Sequence, residues 1–280
     1  MALVRDLYSG PQMARILSFV MVVFALVPAL APTIGHYIIL GFGWRAIFAA
    51  FMLFSIFSLL WLIIRQPETL YPENRRPLSV RAMTSATNEM LAHKTARLSI
   101  FVQTLTFGML FTVLSSTQQV FDITFGQGDV FHLWFGGIAI VSASASLLNA
   151  RIVVRLGMRA IIKAMFMVQI GLTLIMIAIT AANAPYWLTF STYVIWVTGN
   201  FFQAGLTIGN LNALAMEEMG HIAGLADSII SAVATIGAVL VAAPIGLMFD
   251  GTPMPMAIGT LIAASLALWL TTKITRPTDT

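Results

Sequence analysis

The sequence contains no cysteine, which excludes disulfides and any chemistry that needs a thiolate. Charge is scarce as well: 9% of the 280 residues are charged, where soluble globular domains carry roughly 25%. No segment resembles a phosphate-binding glycine loop, a metal-ligand set or a nucleophile with its base. The pattern therefore argues against an enzyme and implies neither a cofactor nor a metal. The net charge is +4 and the isoelectric point is near 9.8, a balance that elsewhere would suggest nucleic acid. Here the basic residues sit in short connections between apolar runs, so they read as topology signals and no nucleic-acid partner is expected. The N-terminal stretch MALVRDLYSGPQMAR does not read as a signal peptide, and the apolar run after it is too long for an h-region.

What the chain has in quantity is hydrophobicity, with 59% apolar residues and a mean hydropathy of +0.90. Eight runs are long enough to cross a bilayer, at 15–39, 44–64, 98–121, 131–150, 160–182, 187–212, 224–248 and 254–272. A span needs about 20 apolar residues at 1.5 Å rise each. The expected fold class is an all-α polytopic membrane protein with eight transmembrane helices. Counting connections alternately from the N-terminus, one side holds 14 of the 15 lysines and arginines and the other holds Arg45 alone. That split predicts both termini in the cytoplasm. The one long connection, 65–97, is rich in proline and charge and reads as a cytoplasmic linker with one short surface helix.

The first run carries ALVPALAPTIGHY at 25–37, in which Pro28, Pro32 and Gly35 are spaced by four and three and so share one side of a helix. A proline inside a soluble helix costs about 3 kcal/mol. In a membrane helix it is tolerated, because neighbouring helices re-satisfy the freed carbonyls, and small residues let backbones approach closely. The block is echoed in span seven, where Pro244 follows Ala243 and Gly246 comes two residues on. Each copy precedes a short connection and one final helix before a basic stretch. Residues 1–64 therefore read as the last two helices of an N-terminal half, 65–97 as the linker, and 98–280 as a six-helix C-terminal half.

Polar residues inside apolar runs are the candidate working groups. In span six, Asn200, Gln203, Thr207 and Asn210 are spaced three, four and three, a stripe along one side of the helix. The stripe either faces substrate or water, or it ties helices together at roughly 1 kcal/mol per contact. Gln103 in span three is a further cavity candidate, whereas Ser115, Ser116, Thr117, Gln118 and Gln119 read as an ordinary helix end. Gln169 reads as interhelical glue. Asp227 is the single carboxylate placed just inside a membrane boundary, a weak candidate for proton coupling that would serve equally as a cap or a loop partner. His36 reads as a lone structural histidine near the end of its span. No span carries an acid or a base near its middle. The connection NARIVVRLGMRAIIK gathers Arg151, Arg155, Arg159 and Lys163 around Gly157 and reads as a tight turn with a clamping or gating role.

Several blocks carry a family resemblance: ALVRDLYSG at 2–10, ALVPALAPTIG in the first span, GFGWRAIF at 41–48, RQPETL at 65–70 and GHIAGLADS at 220–228. Together they resemble the bicyclomycin/chloramphenicol-resistance drug efflux proteins of the major facilitator superfamily. NARIVVRLGMR resembles the second-half copy of that superfamily's Gly-Arg loop. The Pro32/Gly35 block resembles its fifth-helix antiporter motif, with His36 where a second glycine is common. The resemblance implies a major facilitator-type bundle in the bacterial inner membrane that exports small drug-like compounds by proton antiport. Its implied partners are a small-molecule substrate, protons and the bilayer. It also aligns the eight spans with helices five to twelve of a twelve-helix plan, so the chain reads as truncated. The family's usual coupling residues would then precede Met1. A non-transporting remnant or accessory membrane protein, and an importer of a small polar metabolite, are the alternatives.

Overall fold

The structure is a computed structural model and describes residues 27, 30–66, 80–217 and 223–274. Pro28, most of the run 15–39 and the blocks 2–10 and 67–70 lie outside the described residues. Every regular element among the described residues is helical, and the chain divides into two compact units.

The described part of the first unit contains α1 (Leu30–Phe42), α2 (Arg45–Arg65) and the segment His132–Ala139. Gly43, at φ +79°, ends α1 by donating its N–H to the Ile39 carbonyl at 2.9 Å, and α2 begins two residues later. None of the 21 residues of α2 is buried. Phe51, Phe54, Phe57 and Trp61 are all exposed, as a helix apolar on every side requires of its surroundings. Arg45 lies over the Trp44 ring at 4.4 Å and Arg65 over Trp61 at 5.5 Å. Such amphipathic pairs at both ends mark the two interfaces of a membrane helix.

The second unit holds α3 (Val80–Ala92), α4 (Lys94–Gln119), a π-helical turn (Val120–Thr124), most of α5 (Phe131–Leu156), α6 (Met158–Ala181), α7 (Tyr186–Met216), α8 (Ala223–Leu247) and α9 (Met254–Thr272). Its core is built where four helices meet: Val102 and Met109 of α4, Ile162 and Phe166 of α6, Leu211 and Leu214 of α7, and Ala263, Ala264 and Ala267 of α9. The three alanines of α9 allow close packing, which in lipid replaces the hydrophobic driving force. The short helix α3 occupies the connection expected to hold one. Its Met90 is fully buried against Ile100 of α4, Ala215 of α7 and Ile229 and Ile230 of α8.

α8 lies against α4, and glycines make the approach possible. A Cβ at Gly108 would sit 2.8 Å from Val241 Cγ1 and 2.9 Å from Val241 Cβ, and one at Gly237 would collide with the Thr104 methyl. The seam therefore depends on two missing side chains, one from each helix.

Two expected bounds are adjusted. Six helices among the described residues are long and apolar enough to cross a membrane. The first run is largely undescribed, and α7, at 31 residues the longest helix, falls short in apolarity because its amides and hydroxyls lower the mean. Moreover, α7 runs from Tyr186 to Met216, one turn beyond the expected end at 212. The connection expected over Arg151–Lys163 shrinks to one residue, since α5 continues to Leu156 and α6 starts at Met158. Gly157 between them adopts φ +78°, ψ 150°, a conformation open in practice only to glycine. Gly157→Ala should therefore cost on the order of 1–3 kcal/mol. Thermal unfolding in detergent would register this as a lowered midpoint, whereas Leu156→Ala beside it, on an exposed side chain, should change little.

Candidate functional site

A hollow of about 630 Å3 lies between the second half of α4 and the second half of α8, within the range of roughly 300–1,000 Å3 typical of small-molecule sites. One wall is Phe111, Leu114, Ser115, Ser116 and Gln119; the other is Val239, Ala242, Ala243, Gly246 and Leu247. The lining is mostly apolar, with two hydroxyls and one amide. Ser115 donates to the Thr112 carbonyl at 3.1 Å, and the two serine hydroxyls lie 3.4 Å apart. Gly246 faces them: a Cβ there would be 3.7 Å from Ser116 Oγ and 3.9 Å from Ser115 Oγ. Pro244 lies inside α8 next to this wall. Lacking an N–H, it leaves the carbonyl one turn back without its helical donor, which weakens the helix there.

The far end of α4 is fixed in place. Past Gln119 the helix widens into the π turn Val120–Thr124, a form that recurs at functional sites. Phe121 packs edge-to-face on Phe131 and Phe190, with centroids 5.3 and 5.7 Å away, and Phe125 packs on Phe190 at 5.1 Å. Tyr186 donates its hydroxyl to the Phe125 carbonyl at 3.0 Å, and Thr124 donates to the Gly251 carbonyl at 2.7 Å. The second bond ties α4 to the turn between α8 and α9. That turn is closed by Asp250, which accepts from the Thr252 N–H at 2.9 Å and its hydroxyl at 2.7 Å. These donors hold the Asp250 carboxyl below its ordinary range, so the turn loses its brace only when pH falls through that lowered value.

The stripe singled out in the sequence lies elsewhere. Asn200, Gln203, Thr207 and Asn210 are each between 0 and 4% exposed, as is Gln103 on α4, and none of them lines the hollow between α4 and α8. Asn200 donates to the Trp196 carbonyl at 3.0 Å, and Gln203 to Thr207 Oγ1 at 3.1 Å. Asn210 and Asn149 of α5 exchange hydrogen bonds at 2.8 and 3.4 Å. The carbonyl oxygens of Gln103, Asn200 and Gln203 are buried without a partner. Gln169 lies against Gly199, where a Cβ would be 3.0 Å from its Oε1, and Trp196 donates to Thr173 at 2.9 Å. The α6–α7 interface thus carries polar groups at Gln169 and Thr173 between apolar contacts such as Ile161 with Leu206.

Asp227 is exposed one turn into α8 and accepts from Asn212 Nδ2 of α7 at 2.9 Å. Arg159 bridges to Glu217 at 3.0 Å, clamping the first turn of α6 to the end of α7. Arg151 and Arg155 are exposed on the last turns of α5. Pro32 and Gly35 are half-buried in α1, and a Cβ at Gly35 would meet no atom within 4 Å, unlike its echo Gly246. His36 is not alone: His132 stacks on it at 4.2 Å. Sequence reasoning passed over the hollow, Glu217 and His132. The run of five polar residues Ser115–Gln119 was the one available signal for the first.

The model of the Major Facilitator Superfamily matches residues 1–242. The chain belongs to the Major Facilitator Superfamily. It is 29% identical over 272 residues to the bicyclomycin resistance protein homolog of Haemophilus influenzae, covering 95% of this chain and 66% of that protein. It is 28% identical over 290 residues to the uncharacterized MFS-type transporter YdgK of Bacillus subtilis, covering 97% of this chain and 68% of that protein. The chain spans about two thirds of the length of these relatives. The resemblance to bicyclomycin-resistance proteins read from the sequence is borne out, and so is the all-α major facilitator fold class. Major facilitator proteins are transporters rather than enzymes, and this one is a multi-pass membrane protein.

Proposed function

We propose that this major facilitator protein takes part in export of small drug-like compounds from the bacterial cytoplasm by proton antiport. The observation that carries the reading is similarity along 95% of the chain to a bicyclomycin resistance homolog. The hollow between α4 and α8 supports it physically. Its apolar walls with Ser115, Ser116 and Gln119 at hand suit an uncharged compound that has a polar group at one end. Within this reading the protein lies in the inner membrane with both termini cytoplasmic, as the 14-to-1 distribution of basic residues favours. Asp227 serves the α7–α8 corner through Asn212 rather than the proton path. The buried amides of α7 hold the bundle, and the weakened helix around Pro244 and Gly246 flexes beside the substrate. Gly157 and Arg159 keep the α5–α6 corner and the α7 end in register as the bundle moves.

The test is the accumulation of radiolabelled bicyclomycin in cells that express the chain. Expression should lower steady-state accumulation, and a protonophore should restore it to the level of cells with empty vector. Accumulation that is unaltered by expression, or lowered equally with and without the protonophore, would remove the proposal.

A further inference from the structure

We infer that the Ser115–Ser116 pair, facing Gly246 across the hollow between α4 and α8, is a subsite that accepts a hydrogen bond from the exported compound. Uncharged compounds that carry a hydroxyl or an amide N–H are therefore preferred there. The inference rests on the proposed function, in which the hollow holds the compound, and it specifies which polar group is read. Both helices belong to the second compact unit. The two hydroxyl oxygens lie 3.4 Å apart, with Ser115 exposed and Ser116 buried. A Cβ on Gly246 would sit 3.7 Å from Ser116 Oγ and 3.9 Å from Ser115 Oγ, in ordinary contact with both and crowding neither.

The preference follows from where the protons are. A serine hydroxyl has one proton to give and two lone pairs to receive with. Ser115 gives its proton to the Thr112 carbonyl at 3.1 Å, so the proton between the two oxygens is that of Ser116. Both protons are spent within α4, and the lone pairs left over serve only a donor. A ligand hydroxyl or N–H completes them. An ether or carbonyl oxygen in the same place meets a second acceptor and leaves both sides desolvated without a bond. Charge is disfavoured too, because among the described residues no charged side chain lines the hollow, and an unpaired ion is costly to take out of water. Gly246 supplies the room. The place its Cβ would take is open to a ligand atom, which needs to move in by about 1 Å to reach hydrogen-bond distance of either oxygen. A side chain at 246 fills that place without disturbing α4, so the glycine determines specificity rather than packing.

The test uses the full chain in lipid nanodiscs. The native sequence has no cysteine, so a bimane fluorophore on Leu247→Cys, an exposed position that lines the hollow, reports on that place alone. The probes are 4-tert-butylbenzyl alcohol and its methyl ether, which differ in the one donor proton, each corrected for its partition into the nanodisc lipid. The alcohol should change the fluorescence at a concentration about three- to tenfold lower than the ether, the range that one net hydrogen bond gives. Gly246→Ala, which covers the oxygens, and the double change Ser115→Ala with Ser116→Ala, which removes them, should each bring the two concentrations together. Size-exclusion chromatography should show a monodisperse peak for both variants. Equal action of the two probes before substitution, or a preference for the alcohol that survives both variants, would overturn the inference and leave the hollow as the place where compounds bind. Absence of any response to either probe would overturn it together with that reading of the hollow.

Discussion

Replacing Gly108 by valine should part α4 from α8 and leave little folded protein. A Cβ at residue 108 would lie 2.9 Å from the Cβ of Val241, an atom bonded directly to the backbone of α8, so no rotamer change on Val241 relieves the contact. Overpacking of this kind typically costs about 1–3 kcal/mol, and the two further methyl groups of valine enlarge the clash. The loss falls on a seam that already depends on Gly237 against Thr104. Size-exclusion chromatography after detergent extraction should show aggregate in place of a monodisperse peak. Gly108→Ala combined with Val241→Gly should recover most of the folded fraction, because the second change removes both the Cβ and the γ-methyls that the new Cβ would meet. Failure of that pair to rescue would place the defect elsewhere than at the α4–α8 contact.

Ala243→Trp should abolish export while leaving the protein folded and inserted. Ala243 is exposed on the wall of the hollow and faces the α4 side chains Phe111 to Gln119 across it. An indole there has room to enter the 630 Å3 space without displacing packed atoms, so its effect is to occupy the volume rather than to strain the helix. Ala243→Ser keeps the space open and should retain transport. Drug accumulation should rise to the vector level for the tryptophan variant at unchanged membrane abundance, and wild-type accumulation in that variant would separate the hollow from the substrate path.

How much of this could be read in the residues follows from what a single helix can reveal. Apolar length marks a span whatever surrounds it, so α2, α4, α6, α8 and α9 fall close to their expected limits. The turn at Gly157 was legible because a glycine between two apolar runs and flanked by arginines has few other uses, although the helices come closer to it than the basic residues suggested. The stripe on α7 was legible as a stripe. Periodicity fixes that Asn200, Gln203, Thr207 and Asn210 share a side, but it does not say whether that side meets a cavity or a neighbour. Here it meets the bundle, with Asn149 of α5 as one partner. The hollow was harder still, because it belongs to neither helix alone. Phe111 to Gln119 and Val239 to Leu247 become a concave surface only when α4 and α8 lie side by side. The same reason hid the stacking of His132 on His36 and the bridge from Arg159 to Glu217. Each joins residues whose spacing in sequence carries no signal of proximity.

Proton-driven export is tested most directly in proteoliposomes that contain the purified chain and an imposed pH gradient. With an acidic lumen, protons leaving through the protein should drive radiolabelled bicyclomycin into the vesicles above its external concentration. Nigericin, which collapses the gradient, should return it to equilibrium. Uptake that never exceeds the equilibrium level, or that is the same with and without the gradient, would contradict the account.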